Sequence, residues 1–285
     1  MPEDVSKVKR SSYTPIPAPP ARLEVLLARE APVGLIVRRG PSEWFQMILW
    51  HTDTDTFQYG QWFRGSFYGG QLSPDGSKFL YYAAKYRRRR RDQPNQLYEW
   101  TAISKPPYLT ALALWSRGHV KGGCLFLDDN ILLMQGTGAD PSIGSLPPDF
   151  QIILDPEMAR PIFHEQGLLE GWHLQQERIW QYPPGVLARP EIWKKTGYSG
   201  KYAILHVQQS LHSYEYLLQK QDDDVIPLSN VTWMGWDHGG RFVYASEGKL
   251  LTRDLRINSS EPLVLGDFNS QQFSEVIAPD WALRW

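Results

Sequence analysis

Leu72-Ser73-Pro74-Asp75-Gly76-Ser77-Lys78-Phe79-Leu80-Tyr81 reads as strand, tight turn, strand, and the chain repeats it at Gly235-Trp236-Asp237-His238-Gly239-Gly240-Arg241-Phe242-Val243-Tyr244. In that register Gly76 falls on Gly239, Lys78 on Arg241, Phe79 on Phe242 and Tyr81 on Tyr244. A recurring supersecondary unit that cannot hide its own apolar faces has to stack against copies of itself, so the repeat sets the architecture before any single residue does.

Outward from the first copy, the strand-like runs Ser66–Leu72, Phe79–Ala83, Leu97–Ala102 and Tyr108–Trp115 form a meander of about fifty residues, the size of one propeller blade. Val33–Val37, Trp44–Trp50 and Phe57–Phe63 precede it, with a turn at His51–Asp55. Cys124–Leu127, the turn Asp128-Asp129-Asn130 and Ile131–Met134 follow, with Phe150–Leu154 and Pro161–His164 as outer strands. A fourth unit takes in Glu191–Trp193, Tyr202–Val207, Ser213–Gln219 and Val225–Leu228, and a fifth takes in Val231–Trp236, Arg241–Ala245, Lys249–Leu255 and Pro262–Leu265. The second-strand starts Phe79, Ile131, Tyr202 and Phe242 lie 52, 71 and 40 residues apart. The middle interval exceeds one blade, so it holds an insertion or a degenerate sixth blade around Trp172–Tyr182. No long apolar stripe of helical period runs through the body. The expected fold is all-β: a five-bladed β-propeller of four-stranded antiparallel blades, six blades being the alternative.

The expected domain organisation is an extended N-terminal tail over residues 1–22, marked by Pro15, Pro17, Pro19 and Pro20, and one propeller over 23–285. Leu23–Leu27 is a short helix or strand that docks the tail. The first unit reads as one inner strand short, and a ring must close because open sheet edges invite foreign pairing. Phe273–Ala278 is expected to supply that strand, since Ala278-Pro279-Asp280 echoes Ser73-Pro74-Asp75.

The run Ser73-Pro74-Asp75-Gly76-Ser77-Lys78-Phe79-Leu80-Tyr81-Tyr82 resembles the propeller repeat of TolB-like and WD-like proteins, and Trp236–Val243 resembles a variant of it. Gly60–Gly65, Pro107–Trp115 and Pro279-Asp280-Trp281-Ala282 are similar to a group of functionally unassigned bacterial propeller proteins. That resemblance covers most of residues 33–285. It implies a fold and no particular chemistry, because propellers host enzymes, lectins and scaffolds alike.

Composition bounds the function. Thirty Lys and Arg against 31 Asp and Glu leave a net charge of −1, which gives no global case for nucleic acid or a membrane surface. One cysteine, Cys124, excludes an internal disulfide and a thiolate zinc cluster, and a reducing compartment fits. With no apolar leader core and no membrane-length apolar run, the expected location is the cytoplasm. The 12 Trp, 14 Tyr and 11 Phe suit strands and inter-sheet filling.

The sharpest local signal is Lys85 with Arg87, Arg88, Arg89, Arg90 and Arg91, in a stretch from Lys78 to Arg91 that has no acidic residue. Guanidinium groups in a row suit carboxylate or phosphate partners, although a charged hairpin tip is also an ordinary way to stay soluble. The loop joins the second and third strands of its blade and opens on the face of the inter-blade links. The expected function is therefore non-catalytic binding by a monomer that docks an acidic protein or peptide there. The alternatives are a carbohydrate-active or lectin-like site in the central channel and a nucleic-acid module, the latter disfavoured by the neutral charge. Converging channel carboxylates would favour the enzyme.

Other motifs read as structure. Asp222-Asp223-Asp224 is a turn, not a calcium loop. Asp128 and Asp129 sit in a turn, and Asp75, Asp237 and Asp280 recur at equivalent turns, which implies architecture rather than catalysis. The seven His lack metal-ligand spacing. Gly197-Tyr198-Ser199-Gly200 falls short of a nucleophile elbow, and Gly136–Pro141 falls short of a dinucleotide loop. Cys124 is a buried structural thiol. Trp62, Trp115, Trp172, Trp193, Trp233 and Trp236 are candidate sugar platforms, set against their equal fitness as wedges between blades. No catalytic residue, metal ligand or cofactor motif emerges.

Overall fold

The computed structural model describes residues 18–40, 43–85, 99–116, 123–135, 140–155, 162–180, 186–210, 213–257 and 261–285. Blade I is a meander of β1 (Arg22–Leu27), β2 (Val33–Arg39), β3 (Trp44–His51) and β4 (Thr56–Arg64). Blade II runs through β5 (Ser66–Leu72), β6 (Phe79–Ala84), β7 (Glu99–Ser104) and β8 (Ala113–Ser116). Blade III opens with the hairpin β9 (Cys124–Asp128) and β10 (Ile131–Met134). The chain then adds β11 (Ile143–Gly144) to the outer side of β8, and β12 (Gln151–Leu154) parallel to β10. A helix, α1 (Ile162–Leu169), precedes β13 (His173–Gln176) and β14 (Ile179–Trp180), and both of these strands pair with the next strand, Val186–Thr196. Blade IV continues as β15 (Val186–Thr196), β16 (Tyr202–Ser210), β17 (Tyr214–Lys220) and β18 (Val225–Ile226). Blade V is β19 (Val231–Trp236), β20 (Phe242–Ser246), β21 (Lys249–Thr252) and β22 (Leu263–Asp267). The protein is a five-bladed β-propeller, as the repeat predicts. The four-stranded antiparallel meander is purest in blades I and V.

Strand alternation builds the ring. In blade I, Leu35, Val37, Phe45 and Met47 point to blade II and meet Leu72, Phe79, Tyr81 and Ala83. Their neighbours Ile36, Ile48 and Trp50 point the other way and meet Val243, Ala245, Leu250 and Phe268 of blade V. Blade II repeats the device, with Leu80, Tyr82 and Ile103 packed on Cys124, Phe126 and Leu132 of blade III. Blades IV and V share Ile204 and Leu218 with Met234, Trp236 and Phe242. Each sheet is thus apolar on both faces, and burial of both is what the stacking supplies. Between blades III and IV the wedge is α1, which touches β9 on one side and packs His164 on Trp193 of β15, ring centroids 5.0 Å apart.

The turns between first and second strands form one repeated device. Ser73 N–H donates to Lys78 C=O, Gly197 N–H to Tyr202 C=O, and Ala28 N–H to Val33 C=O, all at 2.9 Å. The fifth-blade copy is one residue shorter, with Asp237 N–H donating to Arg241 C=O at 3.0 Å. Gly76, Gly200 and Gly240 occupy the left-handed region at φ 74°, 70° and 76°, where a side chain is strained. Strand ends Phe79 and Phe242 therefore correspond as the sequence alignment has them, but Gly76 matches Gly240 rather than Gly239. Gly197–Tyr202 is a third copy of the turn.

The ring closes by a latch between blades V and I. Arg241 donates to Asp55 at 2.7 and 2.8 Å, to Asp237 at 2.8 Å and to Thr52 C=O at 3.1 Å. Burial alone raises the Asp55 carboxyl, but hydrogen bonds from Arg241 and Trp50 and the arginine charge outweigh it and hold it below its ordinary value. A carboxyl depressed by folding contributes its full stability above its unfolded pKa, about 4, and loses it as the pH falls through the folded value. Urea unfolding of Asp55→Asn is expected to show lower stability than wild type at neutral pH and a shallower loss below about pH 4. Parallel acid limbs for the two proteins would refute the latch.

Four expectations are corrected. The missing inner strand of blade I is β1, paired with β2 from Arg22↔Arg39 to Leu27↔Gly34, so the C-terminal segment does not close the ring as a strand. Leu23 and Val25 alternate into the core while Arg22 and Glu24 stay open, a strand pattern that Phe273–Ala278 lacks. Residues 269–285 instead form a strap across the outside of blades I to III. Arg38, 3% exposed, donates to Phe268 C=O at 2.7 Å and Gln271 C=O at 3.2 Å. Phe273 stacks on Trp44 at 4.5 Å, Trp281 meets Tyr108 at 5.6 Å, and Trp285 reaches Phe150 at 5.5 Å. Asp280 starts a single 3-10 turn (Asp280–Leu283) and is not a blade turn. Pro161–His164 is no outer strand, because Ile162–Leu169 is helical. The segment around Trp172–Tyr182 is no sixth blade, because β13 and β14 join blade IV. Residues 1–17 of the expected tail lie outside the described residues.

Candidate functional site: the axial cavity

The inner strands leave a cavity of about 560 Å³ on the ring axis. Blade I contributes Glu24, Val25 and Leu26 of β1, and blade II contributes Tyr68, Gly69 and Gly70 of β5 with Tyr82 of β6. Blade IV contributes Glu191 and Trp193 of β15, His206 and Gln208 of β16, and Tyr214 and Tyr216 of β17; Trp233 comes from blade V. Among the described residues blade III contributes none, because α1 stands in front of it and presents Gln166 and Gly167, with Glu170 just after the helix. The cavity lies towards the face of the inter-blade links. A second hollow of about 360 Å³ opens on the opposite face and shares Val25, Leu26, Glu170, Trp172 and Trp233 with the first. Arg29, Lys195 and His238 line that second mouth.

Three glutamates in the main cavity have different surroundings. Glu191 is 3% exposed and accepts a hydrogen bond from Trp193 Nε1 at 2.9 Å. Arg178 and His164 each approach it at 3.6 Å. This carboxylate is a clamp that ties α1, the β13–β14 segment and β15 together. Glu170 accepts from Gln166 Nε2 at 2.8 Å, and burial nevertheless raises its carboxyl above the ordinary value, with Gln166, Lys195 and Arg29 opposing. Glu24 is exposed on the cavity side of β1, and desolvation by the surrounding protein raises its carboxyl too, with Arg22 opposing. Among the described residues no hydrogen bond engages the Glu24 side chain. Desolvation lowers His206, so the imidazole is biased to its neutral form, despite the charge of Glu191.

Aromatic rings fill the intervals. His206 lies 5.0 Å from Tyr216, 5.2 Å from Tyr214 and 6.3 Å from Trp172. Tyr214 and Tyr216 meet edge to face at 5.8 Å and 87°. Lys195 Nζ stands 5.9 Å over Trp172, at the join between the two hollows. Burial raises Tyr216 well above its ordinary range and raises Tyr214, so both are neutral phenols. The arrangement offers flat apolar faces, acceptor carboxylates and a few amide and hydroxyl groups around one open-mouthed hollow, which is the composition of a small-molecule site.

Of the six tryptophans singled out, Trp172, Trp193 and Trp233 line this cavity and Trp236 lines the second mouth. Trp115 is packed between blades II and III, and Trp62 packs on Phe273 of the strap under Arg38. Lys85 is exposed at the end of β6, on the same face as the cavity mouth; Arg87, Arg88, Arg89, Arg90 and Arg91 lie outside the described residues. Asp222–Asp224 is a turn, with Lys220 N–H donating to Asp224 C=O at 2.8 Å. Cys124 is buried between blades, and burial pushes its thiol up to about 12. Among the described residues no His, Cys, Asp and Glu cluster holds metal-binding geometry, and no helix is long and apolar enough to cross a membrane. Glu24, Glu170 and Glu191 escape the sequence reading because they sit in three separate segments. The strict alternation Arg22-Leu23-Glu24-Val25 marks Glu24 as the open side of a strand, which was the one local signal.

No family model matches the chain, and no curated protein matches it. Among solved structures it is similar to the acylaminoacyl peptidase of Pyrococcus horikoshii in its orthorhombic crystal form, at 10% identity and a TM-score of 0.38 over 87% of this chain. The chain spans 45% of the length of that peptidase. At that level of likeness the chemistry of the cavity rests on this chain's own residues.

Proposed function

We propose that the protein is a binding propeller that captures a small polar molecule in its axial cavity without transforming it. The observation that carries this reading is the cavity itself: about 560 Å³, within the range of small-molecule sites, with aromatic faces interleaved with carboxylates on a frame of stacked sheets. Rigid strands hold such a site more tightly than loops do. Gly167 offers the means to test it. A Cβ there meets Trp193 at 3.5 Å and Trp172 at 3.8 Å, ordinary contacts, and the residue sits in a helix where glycine is unfavourable. Gly167→Phe is therefore expected to fold and to occupy the cavity. In a thermal-shift screen of a metabolite library, compounds that stabilise the wild type should lose their effect in Gly167→Phe. Hits that stabilise both proteins equally would place binding elsewhere and refute the assignment.

A further inference from the structure

We infer that the ligand of the axial cavity is an organic cation, held by Glu24 and Glu170 within the rings of Trp172, Trp233, Tyr214 and Tyr216; this rests on the cavity being the binding site. Among the described residues the charged side chains that line the main cavity are acidic: the lining includes Glu24, Glu170 and Glu191 and neither Lys nor Arg. Glu191 is already engaged by Trp193, Arg178 and His164. Glu170 has a neutral amide donor, Gln166, while its nearest cations, Lys195 and Arg29, line the other mouth. Glu24 has no hydrogen bond among the described residues, and Arg22 on the same strand is the cation that faces it. Burial raising both carboxyls is what anions short of counter-charge undergo, and a bound cation supplies that charge.

The rings fit the same ligand. An ammonium within about 6 Å of an aromatic face is attracted by the ring quadrupole, more strongly where water is excluded. The edge-to-face pair of Tyr214 and Tyr216 turns one ring face away from its neighbour, and Lys195 already occupies such a position over Trp172 at the second mouth. A neutral saccharide would also stack on these faces, but it would bring no positive charge to the two carboxylates.

Isothermal titration of the full chain with tetramethylammonium, choline and spermidine, and separately with maltotriose, tests the inference. Binding of at least one amine is expected, weakened roughly tenfold or more in Glu24→Gln, about the effect of losing one charge contact. Glu24 opens on the cavity and its charge is disfavoured there, so that variant should melt no lower than the wild type; Trp172→Leu, which removes a ring and no charge, should also weaken the amine. No heat from any of the three amines, or equal affinity in wild type and Glu24→Gln, overturns it. Maltotriose binding that Gly167→Phe abolishes, without amine binding, overturns the cationic ligand and leaves the cavity as the site. Amine binding that survives in Gly167→Phe overturns both.

Discussion

Glu191→Ala is expected to lower the unfolding free energy by about 3–5 kcal/mol, the range for removing one partner of a buried ion pair. The Glu191 side chain is 4% exposed, and its partners His164 and Arg178 are 17% and 23% exposed, so solvent screens little of the interaction. Removing the carboxylate takes an ion-pair partner from Arg178 and the acceptor from Trp193 Nε1, and frees the start of α1 from blade IV. Because α1 is the wedge between blades III and IV, the loss falls on the ring itself. Glu191→Gln retains an acceptor for Trp193 and should fall between the alanine variant and the wild type. Equilibrium urea unfolding of the three proteins checks the order. A change under about 1 kcal/mol for Glu191→Ala would mean that the helix is held by packing alone.

Truncation after Asn269 is the second large effect. It removes the Trp44–Phe273, Tyr108–Trp281 and Phe150–Trp285 ring pairs and the fully buried Ala282. At roughly 1 kcal/mol per aromatic pair beyond area burial, the loss is at least about 3 kcal/mol. For a chain of 285 residues that corresponds to a melting temperature lower by roughly 5 °C. Because β1 rather than the C-terminal segment completes blade I, the truncated protein should still fold at low temperature and give the same strand-rich circular dichroism. Unchanged melting would show that the strap is ornamental, and complete loss of the folded state would show that it belongs to the ring.

Much of the fold was readable from local pattern. The unbroken apolar runs Leu35–Val37 and Phe79–Ala83, and the Ser73–Lys78 turn with its left-handed Gly76, depend on residues adjacent in sequence, so a linear reading finds them. The strap and α1 were not readable in this way. Phe273–Ala278 has strand-forming residues, yet its partners Trp44 and Trp62 lie more than two hundred positions away. The short helix carries no stripe strong enough to compete with the strand reading, and its place is set by the gap between blades III and IV. The site was the least readable part. Three of the six tryptophans proposed as ligand platforms do line the cavity, but aromatic residues wedge between blades with the same composition, and only the stacking distinguishes the two uses.

The sequence by itself determined that short apolar sheets must stack on one another, because each blade has two faces to remove from water and the apolar runs that require this are local. The tertiary structure alone decided that Glu24, Glu170 and Glu191 share one hollow, since their meeting depends on how β1, α1 and β15 converge on the axis. Burial, which raises two of those carboxyls and leaves the third clamped, is a property of that convergence.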